Sequence, residues 1–310
     1  MLFLLFACGS DPSAQKVKDS GTPPFEGTDS VPDSDTDTDG SEHTDSAISD
    51  TAESDTALPD TATPSPVLDP CEQIILLEAY GAANRLWRYD IESGENEPVL
   101  TPDCSGMTAL SANSKGHLFG LKHSTQSLYE IVPATGSCIE TTLPQHSDFP
   151  DLEVRGLAFV GFEETEKLYV SAIEAPTSPQ AILFELDDQA LKLVSPLEGL
   201  TDEKAYVDLA GTSTERLFGL HPSNGGSVIK EWAPSTGEQL SNMPTMAPQP
   251  TGWSFVWHSG IFRMFISTQG SHSFVFDFDP QTGVLTPLPD LSFRVVGAAL
   301  SSCAPDESGS

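Results

Sequence analysis

The sequence predicts an all-β fold: a five-bladed β-propeller closed by its C-terminal strand and preceded by a disordered tether. From residue 71 onward, apolar and polar residues alternate with a period of two, and no window of ten or more residues shows helical periodicity. A unit of four short strands recurs about every 44 to 52 residues. The last strand lacks a following partner and the first unit lacks a first strand, so the two ends together make one unit.

Each unit contains a short apolar and aromatic strand, which in most copies is followed by a polar turn ending in glycine. A pair of strands precedes most of these copies. Four antiparallel strands at this spacing are typical of a propeller blade. A β-sandwich is the alternative, and a β-solenoid uses shorter repeats. The recurring strands lie at 86–90, 128–132, 183–187, 229–232 and 274–278, and the first strands of the units begin near 107, 155, 207, 252 and 296.

The two ends of the repeat region predict how the ring closes. Residues 294–301 read as an inner strand, and residues 73–77 read as the second strand of an incomplete unit. We expect 294–302 to pair with 73–81, which removes exposed sheet edges and gives five blades. This antiparallel pairing places Cys71 and Cys303 side by side and predicts a disulfide between them.

The N-terminus resembles a bacterial lipobox, in which leucine and small residues precede a lipidated cysteine. Leu5, Ala7 and Cys8 fit, whereas Phe6 is larger than the usual residue. The resemblance implies an exported protein, a signal remnant at 1–8 and a lipid on Cys8. A signal peptide needs a basic start and about 7–15 apolar residues; six apolar residues and no Lys or Arg precede the alanine and cysteine here, so we expect the true start upstream or a truncated chain. The alternative is an ordinary apolar strand.

Gly9, rather than aspartate, follows Cys8, which under the enterobacterial sorting rule implies the outer membrane.

With Cys8 lipidated, four of the five cysteines remain to pair. Cys104 and Cys138 pair by elimination. The predicted strands place them on opposite faces of the disc, so either those strand edges are displaced by several residues or the bond is absent.

Residues 9–70 predict a disordered linker. They contain 15 acidic, 2 basic and 19 Ser or Thr residues, with Phe25 as the single aromatic. Such a segment cannot bury enough apolar surface to offset its ordering entropy.

Asp35, Asp37 and Asp39 match the opening of a calcium loop, but Ser46 stands where the closing glutamate is needed. Repetition of Asp, Ser and Thr generates such matches, so we expect no calcium site. Residues 304–310 predict a disordered tail.

The charge excludes one large class of partners. The chain has 46 acidic and 14 basic residues, a net charge of -32. Nucleic acid is excluded because its phosphates need Lys and Arg, and anionic lipid headgroups are disfavoured for the same reason. Mutual repulsion between copies favours a soluble monomer.

Segments 116–136 and 275–283 resemble the repeat of exported bacterial β-propellers of the NHL, quinoprotein-like and YVTN groups. The resemblance covers 71–303 and implies the fold only. Propellers include hydrolases, lyases, lectins and scaffolds, so it assigns no activity.

Candidate site residues are scattered rather than organised in motifs, and no catalytic residue is assigned. Four histidines fall in loops that we expect at one mouth of the channel, where a metal could bind with Asp148 or Asp151. The alternative is that polar loops simply collect histidines, too far apart to bind one ion. Four tryptophans could form a carbohydrate platform, but inter-blade core is the favoured role. The histidines are His123, His146, His221 and His272; the tryptophans are Trp87, Trp232, Trp253 and Trp257.

The sequence favours a non-enzymatic propeller, lipid-anchored at the envelope or cell surface, that binds a protein or glycan and needs no cofactor. The alternative is a propeller hydrolase or lactonase with a metal at the channel mouth. Polar groups converging at the mouth would favour the enzyme, and an apolar or plugged channel would favour the binding module.

Overall fold

The computed structural model describes residues 72–302, apart from 81–82, 164, 175–177, 188–189, 201–205, 224 and 269. The predicted lipobox, the linker at 9–70, the Cys71–Cys303 disulfide and the tail at 304–310 lie outside the described residues. Within the described ranges no residue is helical, and no helix is long and apolar enough to cross a bilayer.

The described residues form β-strands joined by short loops, as the period-two alternation predicts. In chain order they are β1 Gln73–Tyr80, β2 Ala83–Asp90, β3 Asn96–Leu100, β4 Ala109–Ala112, β5 Leu118–Lys122, β6 Ser127–Ile131, β7 Cys138–Thr142, β8 Leu152–Phe162, β9 Thr165–Glu174, β10 Ser178–Asp187, β11 Ala190–Pro196, β12 Asp208–Gly211, β13 Leu217–Ser223, β14 Gly226–Trp232, β15 Gln239–Pro244, β16 Gly252–His258, β17 Ile261–Ser267, β18 Ser273–Asp279, β19 Val284–Leu291 and β20 Val295–Ala299.

These strands form five antiparallel four-stranded sheets, the blades of a five-bladed β-propeller. Blade 1 has the strand order β20-β1-β2-β3, blade 2 is β4 to β7, blade 3 is β8 to β11, blade 4 is β12 to β15 and blade 5 is β16 to β19. The inner strands β20, β4, β8, β12 and β16 contact one another in that order, and β16 contacts β20. The predicted fold class is therefore confirmed.

The C-terminal strand completes the first blade, as predicted. Strand β20 pairs antiparallel with β1, with Ile75 opposite Ala299 and Leu77 opposite Gly297. Beyond it, Ser301 forms a parallel bridge to Ala112 on blade 2, and its hydroxyl donates to the Asn113 carbonyl at 2.6 Å. The end of the described chain is thus bonded to two blades.

The core of the molecule lies between the blades. Five clusters of buried apolar residues occupy the five blade–blade interfaces of the described ring. The cluster between blades 4 and 5, for example, includes fully buried Phe218, Phe255 and Phe262. Because each cluster draws on two blades, no blade can bury its apolar face alone.

The glycine of the recurring turn has a conformational reason. Gly136 and Gly237 adopt φ of 75° and 67°, a region that side chains with a Cβ rarely occupy. Each donates its N–H at 2.8 Å to the carbonyl four residues earlier, that of Val132 or Ala233. The turn closes the hairpin between the third and fourth strands and carries no chemistry.

The structure places the Cys104 and Cys138 sulfur atoms 1.92 Å apart, in a disulfide. The expectation that the two residues lie on opposite faces is wrong. The segment that follows β3 packs against the turn between β6 and β7 of blade 2, where the Asp103 N–H donates to the Gly136 carbonyl at 3.0 Å. Strand twist brings the outer end of one blade beside the next blade's turn.

Candidate site: a cavity at one mouth of the ring

A cavity of about 330 Å³ opens where the inner strands begin. All five blades contribute to its wall, mostly through the residue just before an inner strand or the first residues of that strand. We call it the mouth cavity. Its lining residues are Thr108, His123, Arg155, Tyr206, Val207, Asp208, Thr251, Gly252, Trp253, Arg294 and Val296.

Further along the inner strands the channel is almost filled. The remaining space is about 20 Å³, enough for about one water molecule. Phe159, Leu209, Phe255 and Trp257 are among its lining residues, but the surface that faces this space is mainly polar, because the Leu209 and Phe255 side chains are buried between the blades. The mouth cavity therefore narrows to a space for about one water molecule and does not open into a continuous pore.

Arg294 stands immediately before β20 and lies flat against the start of β16. Its Nη2 donates to the Thr251 carbonyl at 2.9 Å, and its Nε is shielded from water without a hydrogen-bond partner. A Cβ on Gly252 would lie 2.8 Å from Nη2, so only glycine leaves room for the guanidinium in this position. The backbone of blade 5 thus forms a cradle for this cation.

Arg155 occupies the blade 3 side of the wall. One Nη bonds to Glu153, and its guanidinium carbon lies 4.5 Å from the centre of the Tyr206 ring, a cation–π contact. The Arg155 Nε is also buried without a partner. Tyr206 itself is 39% exposed, so part of its ring remains accessible beside Arg155.

Asp208, the first residue of β12, accepts a hydrogen bond from the Ser254 hydroxyl at 2.7 Å. Burial on the channel wall raises the pKa of this carboxyl to about 7, although hydrogen bonds from Ser254 and from two backbone N–H groups oppose that rise. Near neutral pH, Asp208 is therefore present in both the neutral and the charged form.

His123 is the one predicted histidine on the cavity wall. Its Nδ1 lies 3.3 Å from the Thr108 hydroxyl. Burial lowers the pKa of His123, and the nearby Arg155 cation lowers it further, so the imidazole is neutral at pH 7.

The other three histidines lie elsewhere. The His146 ring packs 5.4 Å from that of Phe184, and the His272 ring lies 4.9 Å from that of Phe274. His221 is buried in β13, where its Nδ1 lies 3.0 Å from the Pro222 carbonyl oxygen. The four histidines do not converge on one point.

The proposed metal ligands do not assemble either. Asp148 donates its backbone N–H to His146, whereas Asp151 and His123 both line a surface depression that adjoins the mouth cavity. Among the described residues, the one group of three potential ligands within 4.8 Å is Asp103, Cys104 and Cys138. The disulfide occupies both of those sulfur atoms, so the group fits a metal poorly.

The tryptophans lie mainly in the inter-blade cores. Trp232 is fully buried, Trp257 is 8% exposed, and Trp87 stacks on Phe293 with ring centres 4.2 Å apart. Trp253 packs against the core between blades 4 and 5 and also lines the mouth cavity. The predicted role in the inter-blade core therefore accounts for Trp87, Trp232 and Trp257.

Sequence reasoning missed Arg155, Tyr206, Asp208 and Arg294. One signal was present: Asp208 and Arg294 are charged residues at or just before the first position of a predicted inner strand. In a ring, those positions converge on the channel mouth.

The fold and this cavity define a five-bladed β-propeller with a ligand-sized concavity at one end of its channel. No protein-family model matches the chain, and neither does any curated protein. TolB from Acinetobacter baumannii is similar at 13% identity and a TM-score of 0.42, over 74% of this chain and 55% of that one. The chain thus spans about half of that protein.

Two further solved structures are comparably distant. The glutaminyl cyclase of Myxococcus xanthus is 16% identical with a TM-score of 0.40, over 64% of this chain and 71% of that chain. The Dos1 propeller is 14% identical with a TM-score of 0.38, over 70% of this chain and 55% of that chain.

Proposed function

We propose that this protein is an exported, lipid-anchored binding module whose ligand enters the mouth cavity. The observation that carries the proposal is the cavity itself, which gathers polar, cationic and aromatic side chains from all five blades and is closed below by the nearly filled channel. Ligand pockets are typically concave, about 300–1,000 Å³ in volume, and provided with a few convergent polar groups. The mouth cavity has these properties.

Export and anchoring are supported by two separate features. The lipobox resemblance at residues 5–8 implies a lipid on Cys8, and the Cys104–Cys138 disulfide fits an oxidising compartment. For the test, the chain is expressed with a basic and apolar segment added before Met1 to complete the signal peptide. Radiolabelled palmitate supplied to the bacterium should then label the wild-type chain and not Cys8→Ser. Equal labelling of wild type and Cys8→Ser would contradict a lipid anchor on Cys8.

Ligand binding is tested by filling the cavity. Val296 lines the wall, so Val296→Trp should occupy the space that a ligand needs. Val284→Trp is the matched control, because Val284 is 54% exposed on the outer strand β19. The three proteins are compared on an array of glycans and peptides. At least one compound should bind both wild type and Val284→Trp but not Val296→Trp. If filling the cavity leaves every bound compound unchanged, the cavity is not the binding site.

One observation favours a catalytic alternative. Asp208 has a pKa of about 7 and faces the cavity, the range suited to a general acid or base. A hydrolase of this kind would turn over ester or lactone substrates, and Asp208→Asn would abolish the turnover. Residual turnover equal to wild type in that variant would rule out Asp208 as the proton-transfer group.

A further inference from the structure

We propose that the ligand of the mouth cavity is a carboxylate-bearing sugar of about one ring, such as a hexuronic acid, bound through Arg294. This inference rests on the proposed binding function and specifies the chemistry of the ligand.

The charge of Arg294 is the first argument. All six arginines of the chain lie in the described part, and five of them pair with a carboxylate: Arg85, Arg88, Arg155, Arg216 and Arg263. Arg294 makes no such pair among the described residues, although the chain has 46 acidic residues against 14 basic ones. Asp208 lines the same cavity, but no described carboxylate lies within ion-pair distance of Arg294. A cation on a cavity wall that forms no ion pair there is suited to an anion from outside.

The position of Arg294 is the second argument. Gly252 provides the space in which the guanidinium lies, and the Thr251 carbonyl holds Nη2 at 2.9 Å. A guanidinium fixed in this way loses little rotamer freedom when it binds a carboxylate in a bidentate manner. Arg155 adds a second cation to the same wall, although Glu153 balances part of its charge.

The remaining wall suits the body of a sugar ring. Tyr206 and Trp253 supply aromatic surface for the apolar face of such a ring. The Thr251 hydroxyl donates to the Ser267 carbonyl at 3.1 Å, which leaves its oxygen lone pairs free to accept from a sugar hydroxyl. A volume of about 330 Å³ lies at the small end of ligand pockets, which limits the ligand to about one ring.

The test compares four probes on the full-length protein by saturation-transfer NMR at pH 6: glucuronate, glucose, inorganic phosphate and a dipeptide with a free C-terminal carboxylate. We expect glucuronate to bind and glucose to bind about 10-fold more weakly or not at all. Equal binding of glucose, or tighter binding of phosphate or the dipeptide, would overturn the assignment to an acidic sugar.

Variants test whether the carboxylate of glucuronate binds at Arg294. Arg294→Gln should weaken glucuronate binding about 10- to 100-fold, the effect of removing one charge-assisted interaction. Arg88→Gln is the matched control, since Arg88 pairs with Glu97 on an exposed face outside the cavity and should leave binding unchanged. Gly252→Ala tests the same cradle without changing a charge, because its new Cβ would displace the guanidinium. Unchanged affinity in both Arg294→Gln and Gly252→Ala would refute the role of Arg294.

The outcomes also separate the two proposals. If Val296→Trp abolishes binding of a neutral compound, the cavity is a binding site and the carboxylate assignment is wrong. If Val296→Trp affects neither glucuronate nor any array compound, both proposals are wrong.

Discussion

Replacing Asp208 by asparagine should change how the stability of the propeller depends on pH. The Asp208 carboxyl has an ordinary pKa of 3.8 when exposed and a pKa of about 7 in the folded protein, because burial disfavours its charged form. The difference between these two values corresponds to about 4 kcal/mol of folding free energy.

The direction of this pH dependence follows because the folded protein binds the Asp208 proton more tightly than the unfolded chain does. Because folding raises the pKa of Asp208, the contribution of this carboxyl to the free energy of unfolding is complete below pH 3.8. That contribution is lost as the pH rises through 7. Asparagine keeps a side-chain oxygen that can accept the Ser254 hydroxyl and carries no charge at any pH. The free energy of unfolding of Asp208→Asn relative to wild type should therefore rise by about 3 kcal/mol between pH 5 and pH 9.

Urea denaturation of both proteins at pH 5, 7 and 9, followed by tryptophan fluorescence, measures this difference. Asp279→Asn serves as a control whose profile should run parallel to wild type over this pH range. Hydrogen bonds from Thr282 and from the Gln281 N–H lower the pKa of Asp279 below its ordinary value of 3.8, so its contribution to stability is complete at pH 5, 7 and 9 and is lost only at more acidic pH. Parallel pH profiles for wild type and Asp208→Asn would show that the Asp208 carboxyl is not desolvated in the folded protein.

Three further predictions concern stability. Replacing both Cys104 and Cys138 by serine should lower the free energy of unfolding by about 4 kcal/mol, the loop-closure value for a sequence separation of 34, as measured by urea denaturation against the oxidised wild type. Gly211→Ala should destabilise the protein by about 3 kcal/mol in thermal melts, since its Cβ would lie 2.0 Å from a carbonyl oxygen of blade 3; an unchanged melting temperature would contradict that close approach. Asp277→Asn should cost about 3–5 kcal/mol in urea denaturation because it leaves Arg263, 7% exposed at its side chain, without its bidentate partner.

The blade architecture could be predicted from the sequence because its signals are local. Inner strands expected near 107, 207 and 252 begin at Ala109, Asp208 and Gly252. Alternating apolar residues, with a glycine after the third strand in four of the five blades, suffice to place them, since the blades repeat the same hairpins.

The mouth cavity could not be predicted in the same way. Its wall takes single residues from strands that are far apart in the chain, so Arg155, Asp208 and Arg294 form no motif of fixed spacing. The histidine hypothesis failed for a related reason. Loop residues at one end of the ring share a face, but only His123 points to the channel, whereas His221 is buried in its own blade.

The pairing of Ile75 with Ala299 also has a consequence for the order in which the molecule can fold. Strand β1 is synthesised before the other described strands, whereas its second neighbour, β20, is synthesised only after nearly all of the intervening chain. Contacts between residues so far apart in the sequence form slowly. Until then β1 presents an open edge that can recruit a strand from another copy, the exposure that leads large β proteins to aggregate during biogenesis. A chain terminated a few residues early would therefore be expected to fail in assembly rather than only in function.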